Sequence, residues 1–311
     1  MFNSTKVMIR ACVEQLQNGY RCVYGSRKPN NAELIGWATK LILENLAKGD
    51  APYHNIEHTI LVTLAGQKIL TGKYILEGSV GISCDDWLNF IISLLCHDIG
   101  YIKGVCRQDR VDKNFYSTGL DQEMCTLPAN ATDASLTPYH VERGKLFVAE
   151  TFSGHPLLDV EVIQHNIELT RFPVPSDKKY QDTRNCPGLA RAADLIGQLS
   201  DPRYLQKIPG LFEEFKEIGT DKILGYHNPE DLLSGIPTFY HNQVHPYILE
   251  ALKYLDETSE GRQMIKNLYA NMQPVPQGRH RKLAKLYLGK DATLKRFKKN
   301  HKTQIAVGCS S

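Results

Sequence analysis

The chain has 311 residues, a mass of 35.1 kDa and 42% hydrophobic residues, which is close to the average of globular proteins. This composition excludes a disordered, collagen-like or disulfide-stapled chain, and a net charge of +3 indicates little about partners. The most apolar stretch, residues 88–96, is far shorter than the ~20 residues that a membrane-spanning helix needs. We therefore expect a soluble, cytoplasmic protein without a signal peptide. Its eight cysteines form no CxxC pair, and we expect them to be reduced.

Hydrophobic residues recur at three- and four-residue steps along most of the chain, which is the period of an amphipathic helix. The pattern is present in residues 34–46, 60–69, 87–96, 141–152, 157–169, 189–199, 204–218 and 244–255. Strand pairs joined by tight turns are nearly absent, although the step Asn18-Gly19 could close a small hairpin. The sequence predicts an all-α fold.

Two stretches interrupt the helical period and divide the chain. Residues 103–138 are rich in Gly, Asp, Asn, Ser, Thr and Pro, and a connection of this length is often a lid beside an active site. The segment 273–278 reads Gln-Pro-Val-Pro-Gln-Gly and ends the last core helix. We expect an N-terminal extension at 1–29, a compact domain at 30–272 and a basic tail at 273–311.

The tail differs in charge from the rest of the chain. Between Arg279 and Lys302 it carries ten Lys or Arg residues and one Asp. Four apolar residues lie among these lysines, Leu283, Leu286, Leu294 and Phe297. They could form an amphipathic helix that contacts nucleic acid, an anionic membrane or a partner. A solvated tail is an equal alternative.

Histidine or aspartate residues that could bind a metal occur at three places in the predicted helices. His54 and His58 lie four residues apart, and so on one helix face, at the start of the second helical pattern. The pair His97-Asp98 ends an apolar helix, and Asp194 interrupts another. Burying such groups without a partner costs several kcal/mol, whereas a divalent ion uses imidazole and carboxylate as ordinary ligands. The pattern predicts a metal site.

The ordered set His58, His97-Asp98 and Asp194 resembles the HD superfamily of metal-dependent phosphohydrolases. Within it, the segment Tyr53-His54-Asn55-x-x-His58 is similar to the signature of the class I cyclic nucleotide phosphodiesterases. The similarity extends to about Leu255, through Ala193-Asp194-Leu195, the stretch 212–221 and the sequence Val244-His245-Pro246. It implies a helical bundle of the HD or phosphodiesterase type with a dinuclear metal site in a central cleft.

The resemblance also implies a role for each matching residue. His58, His97, Asp98 and Asp194 would be metal ligands, and Asp98 would bridge two ions with its two oxygens. His54 would be the general acid that protonates the leaving oxygen. Phe239 would cover a nucleobase as a hydrophobic clamp.

The sequence departs from the family at several positions. Ile236 stands where the family has a base-reading glutamine, and Ile cannot make that amide's hydrogen bonds, so purine cyclic nucleotides are in doubt as substrates. His140 and His165 look like the extra imidazoles with which other HD subfamilies complete a second metal. The alternative is that both are ordinary core or surface histidines. With them the site would be suited to Fe or Mn as well as Zn or Mg.

These residues permit a hydrolysis in which hydroxide held by two divalent ions attacks phosphorus and His54 protonates the departing alkoxide. The expected function is therefore a metal-dependent phosphohydrolase acting on a cyclic nucleotide or a related small-molecule phosphodiester. Two alternatives stay open. Some HD proteins with a similar ligand set hold a mixed-valent di-iron centre and oxygenate small molecules, and others bind a nucleotide without turnover. The sequence leaves the true substrate, the metal and the oligomeric state open.

Overall fold

The computed structural model describes residues 3–272, and these residues are almost entirely helical, which confirms the predicted all-α class. The predictions for the basic tail, including contact with nucleic acid or an anionic surface, lie outside the described residues. None of the described helices is both long enough and apolar enough to cross a membrane. Twelve α-helices are present in this part of the chain: α1 (Ser4–Tyr24), α2 (Pro29–Leu46), α3 (Ile56–Gly81), α4 (Cys84–Cys96), α5 (His140–Phe152), α6 (Val160–Leu169), α7 (Cys186–Leu199), α8 (Tyr204–Glu217), α9 (Thr220–Leu224), α10 (Pro229–Phe239), α11 (His245–Asp256) and α12 (Ser259–Asn271).

Helix α3 lies at the centre of the bundle and packs against α4, α7 and α11. Its approach to α7 is close: a Cβ atom added at Gly197 would lie only 2.6 Å from the Cα of Val62. Glycine is required there because any larger residue would push the two helices apart. The contact sets the register of α3 against α7. Val62 lies one turn after His58 on α3, and Gly197 lies one turn after Asp194 on α7.

The segment expected to be an N-terminal extension forms a helix that packs into the same hydrophobic core. Leu16 and Tyr20 of α1 are fully buried, and α1 lies along α2. The predicted hairpin at Asn18-Gly19 is wrong, since both residues lie inside α1. Gly19 is small for a packing reason: a Cβ there would come within 2.1 Å of the side chain of Gln67 on α3.

The long connection between α4 and α5 is an ordered structure. It contains short 3-10 helices at Ile99–Tyr101, Val111–Lys113 and Asp133–Leu136, and a small antiparallel sheet. The sheet pairs β1 (Phe115–Ser117) with β2 (Met124–Thr126), so that Tyr116 faces Cys125. Residues 103–138, which were predicted to be irregular, thus form an ordered segment on the side of the bundle that follows Asp98.

A buried ion pair holds this connection in place. Arg143 on α5 pairs with Asp109 at 2.9 Å, and both side chains are fully inaccessible to solvent. The guanidinium also donates to the carbonyl oxygens of Gly100, Ile102 and Ser117, which leaves little of its charge unsatisfied. Burial by itself would lower the pKa of Arg143, but Asp109 outweighs it and raises the pKa. One side chain therefore ties three turns of the connection to α5.

Replacing Asp109 by Asn leaves the Arg143 charge buried without its partner, and we expect a loss of about 3–5 kcal/mol in the free energy of unfolding. The matched control is Asp85→Asn, which breaks the exposed pair between Lys28 and Asp85 and should cost at most about 1 kcal/mol. Urea denaturation of the three proteins measures both. Equal losses for the two variants would contradict the role assigned to the buried pair.

Candidate metal centre

The first ligand-bearing segment is the turn that begins α3. The side chain of Asn55 caps this helix, because its Oδ1 accepts hydrogen bonds from the backbone N–H groups of Glu57 and His58. The cap starts the helix at Ile56 and places His58 on its first turn, pointing inward and 4% exposed. The Asn in the Tyr-His-Asn motif thus has a local structural role.

The second segment is the end of α4. This helix begins in a capping box between Ser83 and Asp86, and every residue from Trp87 to Cys96 is buried, so it runs through the core and delivers His97 and Asp98 at its buried end. The Nδ1 of His97 lies 2.7 Å from the carbonyl oxygen of Leu94. A proton on Nδ1 makes this hydrogen bond and leaves the lone pair of Nε2 free for a metal, as is usual for histidine ligands.

The third segment is α7, which carries Asp194 beside His58 and His97. Its N-terminus is capped by Asn185, and its close contact with α3 at Gly197 fixes the height of Asp194 along the bundle. Asp194 is the most accessible of the four predicted ligands, with a side chain 16% exposed. The centre is therefore open to solvent on the Asp194 side and closed on the His97 side.

The four donor atoms of these residues converge. The Nε2 atoms of His58 and His97 are 3.4 Å apart, and each is 3.2 Å from Oδ2 of Asp98. Oδ1 of Asp194 lies 3.4 Å from the first imidazole and 3.7 Å from the second. Ligands bound to one ion at ~2.0–2.2 Å are themselves separated by roughly 3–3.5 Å, so these spacings are of the size that a divalent cation needs. The donors form two overlapping groups, His58 with His97 and Asp194, and His58 with His54 and Asp98, and within each group the donor atoms lie within 4.8 Å of one another. The structure thus brings together four of the six residues predicted as ligands.

Two electrostatic observations support the fit. Oδ2 of Asp98 is buried and lies 3.2 Å from Nε2 of His58 and from Nε2 of His97, and it has no hydrogen-bond partner among the described residues unless one of these nitrogens carries a proton. Burial by itself would lower the pKa of His58, but the carboxylates of Asp194 and Asp98 outweigh it and raise the pKa to about 10. Without a cation, the carboxylates thus draw protons onto the imidazoles. A divalent ion would satisfy the same charges and the unpartnered oxygen, with release of the protons.

His54 is held by a residue that the sequence analysis did not assign to the site, Glu214 on α8. Its Oε2 lies 2.5 Å from Nδ1 of His54, and its Oε1 accepts from the backbone N–H groups of Tyr53 and His54. Burial by itself would lower the pKa of His54, but the charge of Glu214 outweighs it and raises the pKa. The donor atom of His54 lies within 4.8 Å of those of His58 and Asp98. His54 is therefore a neighbour of the cluster whose protonated form is favoured by Glu214.

His140 also lies beside the cluster, while His165 does not. The Nδ1 of His140 is 2.6 Å from the carbonyl oxygen of Thr137, and burial lowers its pKa to about 4, so the ring is neutral. Its ring stacks on Tyr101, which also stacks on His54, so His140 lies near the cluster but outside the groups of converging donors. His165 is exposed on α6, because the next residue, Asn166, takes the inward position and donates to Ser93. The structure therefore does not bring His165 to the metal centre.

The two residues predicted to bind substrate lie on α10. Ile236 is buried in the main core and 3% exposed, and Phe239 is partly exposed with its ring edge-to-face against Phe172 at 5.7 Å. Neither belongs to the groups of converging donors. Their substrate-binding role stays a prediction.

Comparison with known proteins gives one match. The family model described as Npun_R2479-like matches residues 2–277. This stretch spans all twelve helices, includes α1, and contains every residue of the metal centre. No curated protein and no solved structure matches the chain.

If the four donors hold the ion, Asp194→Ala should lose most of the bound metal, because it removes a charged ligand from a set of four. The matched control is Asp256→Ala, an exposed aspartate at the end of α11 that accepts a hydrogen bond from Arg262 through its backbone carbonyl oxygen. Elemental analysis of both purified variants measures the metal content. Wild-type metal content in Asp194→Ala would contradict the assignment.

The position of His140 predicts that a second ion, if bound, depends on it and not on His165. We expect His140→Ala to bind about one ion fewer than the wild type and His165→Ala to bind the same number. Both variants should keep the first ion. An unchanged stoichiometry in His140→Ala would return this residue to an ordinary core histidine.

Proposed function

This chain belongs to the Npun_R2479-like family, and we propose that it is a metal-dependent phosphohydrolase that cleaves a small-molecule phosphodiester such as a cyclic nucleotide. The observation that carries the proposal is the position of His54, an imidazole bound to a buried carboxylate beside a cluster of candidate metal ligands. A site of this kind would combine a Lewis acid with a proton donor. Both accelerate the hydrolysis of a phosphodiester that has a poor leaving group.

The cofactor of the proposed reaction is two divalent ions, whether Fe, Mn, Zn or Mg. His58, His97, Asp98 and Asp194 would hold the first, and Asp98 and His140 would contribute to the second. Bound there, the ions would supply Lewis-acid stabilisation of the phosphoryl oxygens and an activated water.

The role of His54 follows from its hydrogen bonds. Because Nδ1 donates to Glu214, the remaining proton is on Nε2, the only other ring nitrogen. The carboxylate of Glu214 raises the pKa of His54 and so favours the protonated imidazole that a general acid requires. Donation from Nε2 to the leaving alkoxide would contribute ~10²–10⁴-fold to the rate. The backbone hydrogen bonds from residues 53 and 54 to Oε1 fix the turn, so the ring keeps its place as the proton moves.

The same geometry weighs against the two alternatives. A di-iron oxygenase has no leaving alkoxide to protonate, so a buried glutamate that keeps His54 cationic would have no purpose. A sensor without turnover would not need converging ligands together with a proton donor. Three imidazoles around the two ions still suit iron, so metal analysis is part of the test.

The decisive experiment is elemental analysis of the purified protein together with a substrate screen. The screen includes bis(p-nitrophenyl) phosphate, cyclic AMP, cyclic GMP, cyclic dinucleotides and nucleotide monoesters. We expect metal-dependent release of product from a diester and similar activity on the two cyclic purines, since Ile236 cannot read a purine edge. Oxygen consumption with a small-molecule substrate, and no hydrolysis of any ester, would favour the oxygenase.

Glu214→Gln should keep the metal and lose activity mainly on poor leaving groups, because it removes the charge that keeps His54 protonated. We expect a loss of roughly 10²-fold or more on methyl phenyl phosphate and a much smaller loss on methyl p-nitrophenyl phosphate, whose leaving group departs without a proton. His54→Ala should show the same selectivity. The matched control is Glu213→Gln, since Glu213 is the neighbouring residue on α8 and is exposed.

The ratio of the two rates is the measurement. Equal losses on both diesters for Glu214→Gln and His54→Ala would show that the pair positions substrate or metal and does not donate a proton.

A further inference from the structure

Tyr101 lies between the two histidines that flank the metal centre. It follows Asp98 by three residues, ends the 3-10 helix Ile99–Tyr101 and is 2% exposed. One face of its ring stacks on His54, with centroids 4.8 Å apart and an angle of 8° between the planes. The other face stacks on His140 at 4.6 Å and 23°. The three rings form a continuous stack in which the tyrosine is the middle member.

The outer members of the stack have different hydrogen-bond partners. Nδ1 of His54 is bound to the carboxylate of Glu214, whereas Nδ1 of His140 lies 2.6 Å from the carbonyl oxygen of Thr137. The tyrosine ring therefore lies between an imidazole that is paired with a carboxylate and one that is paired with a backbone carbonyl.

The position of Tyr101 is fixed from both sides along the backbone. Arg143 donates from Nε to the carbonyl oxygen of Gly100 and from Nη2 to that of Ile102, at 2.6 and 2.9 Å. Gly100 packs so closely on α5 that a Cβ would lie 1.9 Å from the carbonyl oxygen of His140. Tyr101 and His140 are thus held on one rigid framework, and only His54 reaches the stack from a different part of the chain.

We propose that Tyr101 is a positioning residue that holds the His54 ring in the orientation for proton donation and keeps it out of the ligand set of the second ion. His54 has a donor atom close enough to Asp98 and His58 to coordinate a metal. A ring that is free to turn could therefore become a ligand and cease to be an acid. Stacking on Tyr101 restricts the imidazole to one plane, and the hydrogen bond to Glu214 restricts rotation within that plane. This inference rests on the proposed function, since it assigns His54 the role of the acid.

The test compares Tyr101→Leu, which removes the aromatic face, with Tyr101→Phe, which keeps it. We expect Tyr101→Leu to lose about 10- to 100-fold in kcat on methyl phenyl phosphate, because small misplacements of a catalytic group cost this much. Its loss on methyl p-nitrophenyl phosphate should be much smaller, and Tyr101→Phe should resemble the wild type on both. The matched control is Tyr116→Leu, which removes another buried tyrosine of the same connection, 1% exposed, outside the stack. It should lower stability without changing the ratio of the two rates.

A second measurement separates this inference from the proposed function. The ring current of Tyr101 acts on the stacked imidazoles, so the Cε1–H resonances of His54 and His140 in the NMR spectrum should both shift in Tyr101→Leu and stay in place in Tyr116→Leu. If the wild type hydrolyses neither diester but the resonances shift in Tyr101→Leu, the proposed function is overturned and with it the catalytic role of Tyr101. The stacking of the three rings is then still supported. Equal losses on both diesters in Tyr101→Leu, or unshifted resonances, overturn the positioning role alone.

Discussion

Two carboxylates, Asp98 and Asp194, lie against two imidazoles in the interior of a helical bundle, and the need to balance their charge governs this region. Ionised groups removed from water are stable only when opposite charge or hydrogen bonds replace the lost hydration. Oδ2 of Asp98 has no hydrogen-bond donor among the described residues unless a neighbouring histidine carries a proton on Nε2. The carboxylates raise the pKa of His58 and so favour that proton. The caps of α3, α4 and α7 and the close approach at Gly197 all serve to bring these charges together.

The candidate ligands could be predicted from the sequence because each is a polar residue in apolar surroundings. A histidine–aspartate pair at the end of an apolar helix, or a single carboxylate inside one, conflicts with its surroundings, and the conflict is visible without a structure. Glu214 gives no such signal. It follows another acidic residue in an amphipathic helix, and only the bundle shows that Glu213 faces solvent while Glu214 reaches residues 160 positions earlier in the chain. Helical periodicity alone does not settle which of two adjacent glutamates is buried when both lie near the boundary of the apolar face.

The difference between His140 and His165 has the same origin. Both are histidines at helical positions of the predicted bundle, but one residue of register changes a side chain's direction by about 100° on a helix. On α6 that step gives the inward position to Asn166 and leaves His165 on the surface. The long connection was predicted as an irregular segment because it lacks periodicity, and its order comes from a contact that periodicity does not report, the pairing of Arg143 with Asp109. The sequence analysis does not assign α1 to the core, although its buried residues recur at steps of three and four, as in the other helices: Ile9, Cys12, Leu16, Tyr20 and Tyr24.

The close contact of α3 with α7 also has a consequence for how the protein is made. The four donors come from segments that end at residues 58, 98 and 194, and Glu214 comes later still. During synthesis the N-terminal half of the chain emerges from the ribosome with two histidines and one aspartate but without the helix that completes the centre. Such a nascent chain has an incomplete set of candidate ligands, and an ion that needs Asp194 would have to wait until α7 has emerged and packed against Val62. Binding of an ion by the complete set would therefore be a late event in the life of each molecule, coupled to closure of the whole bundle.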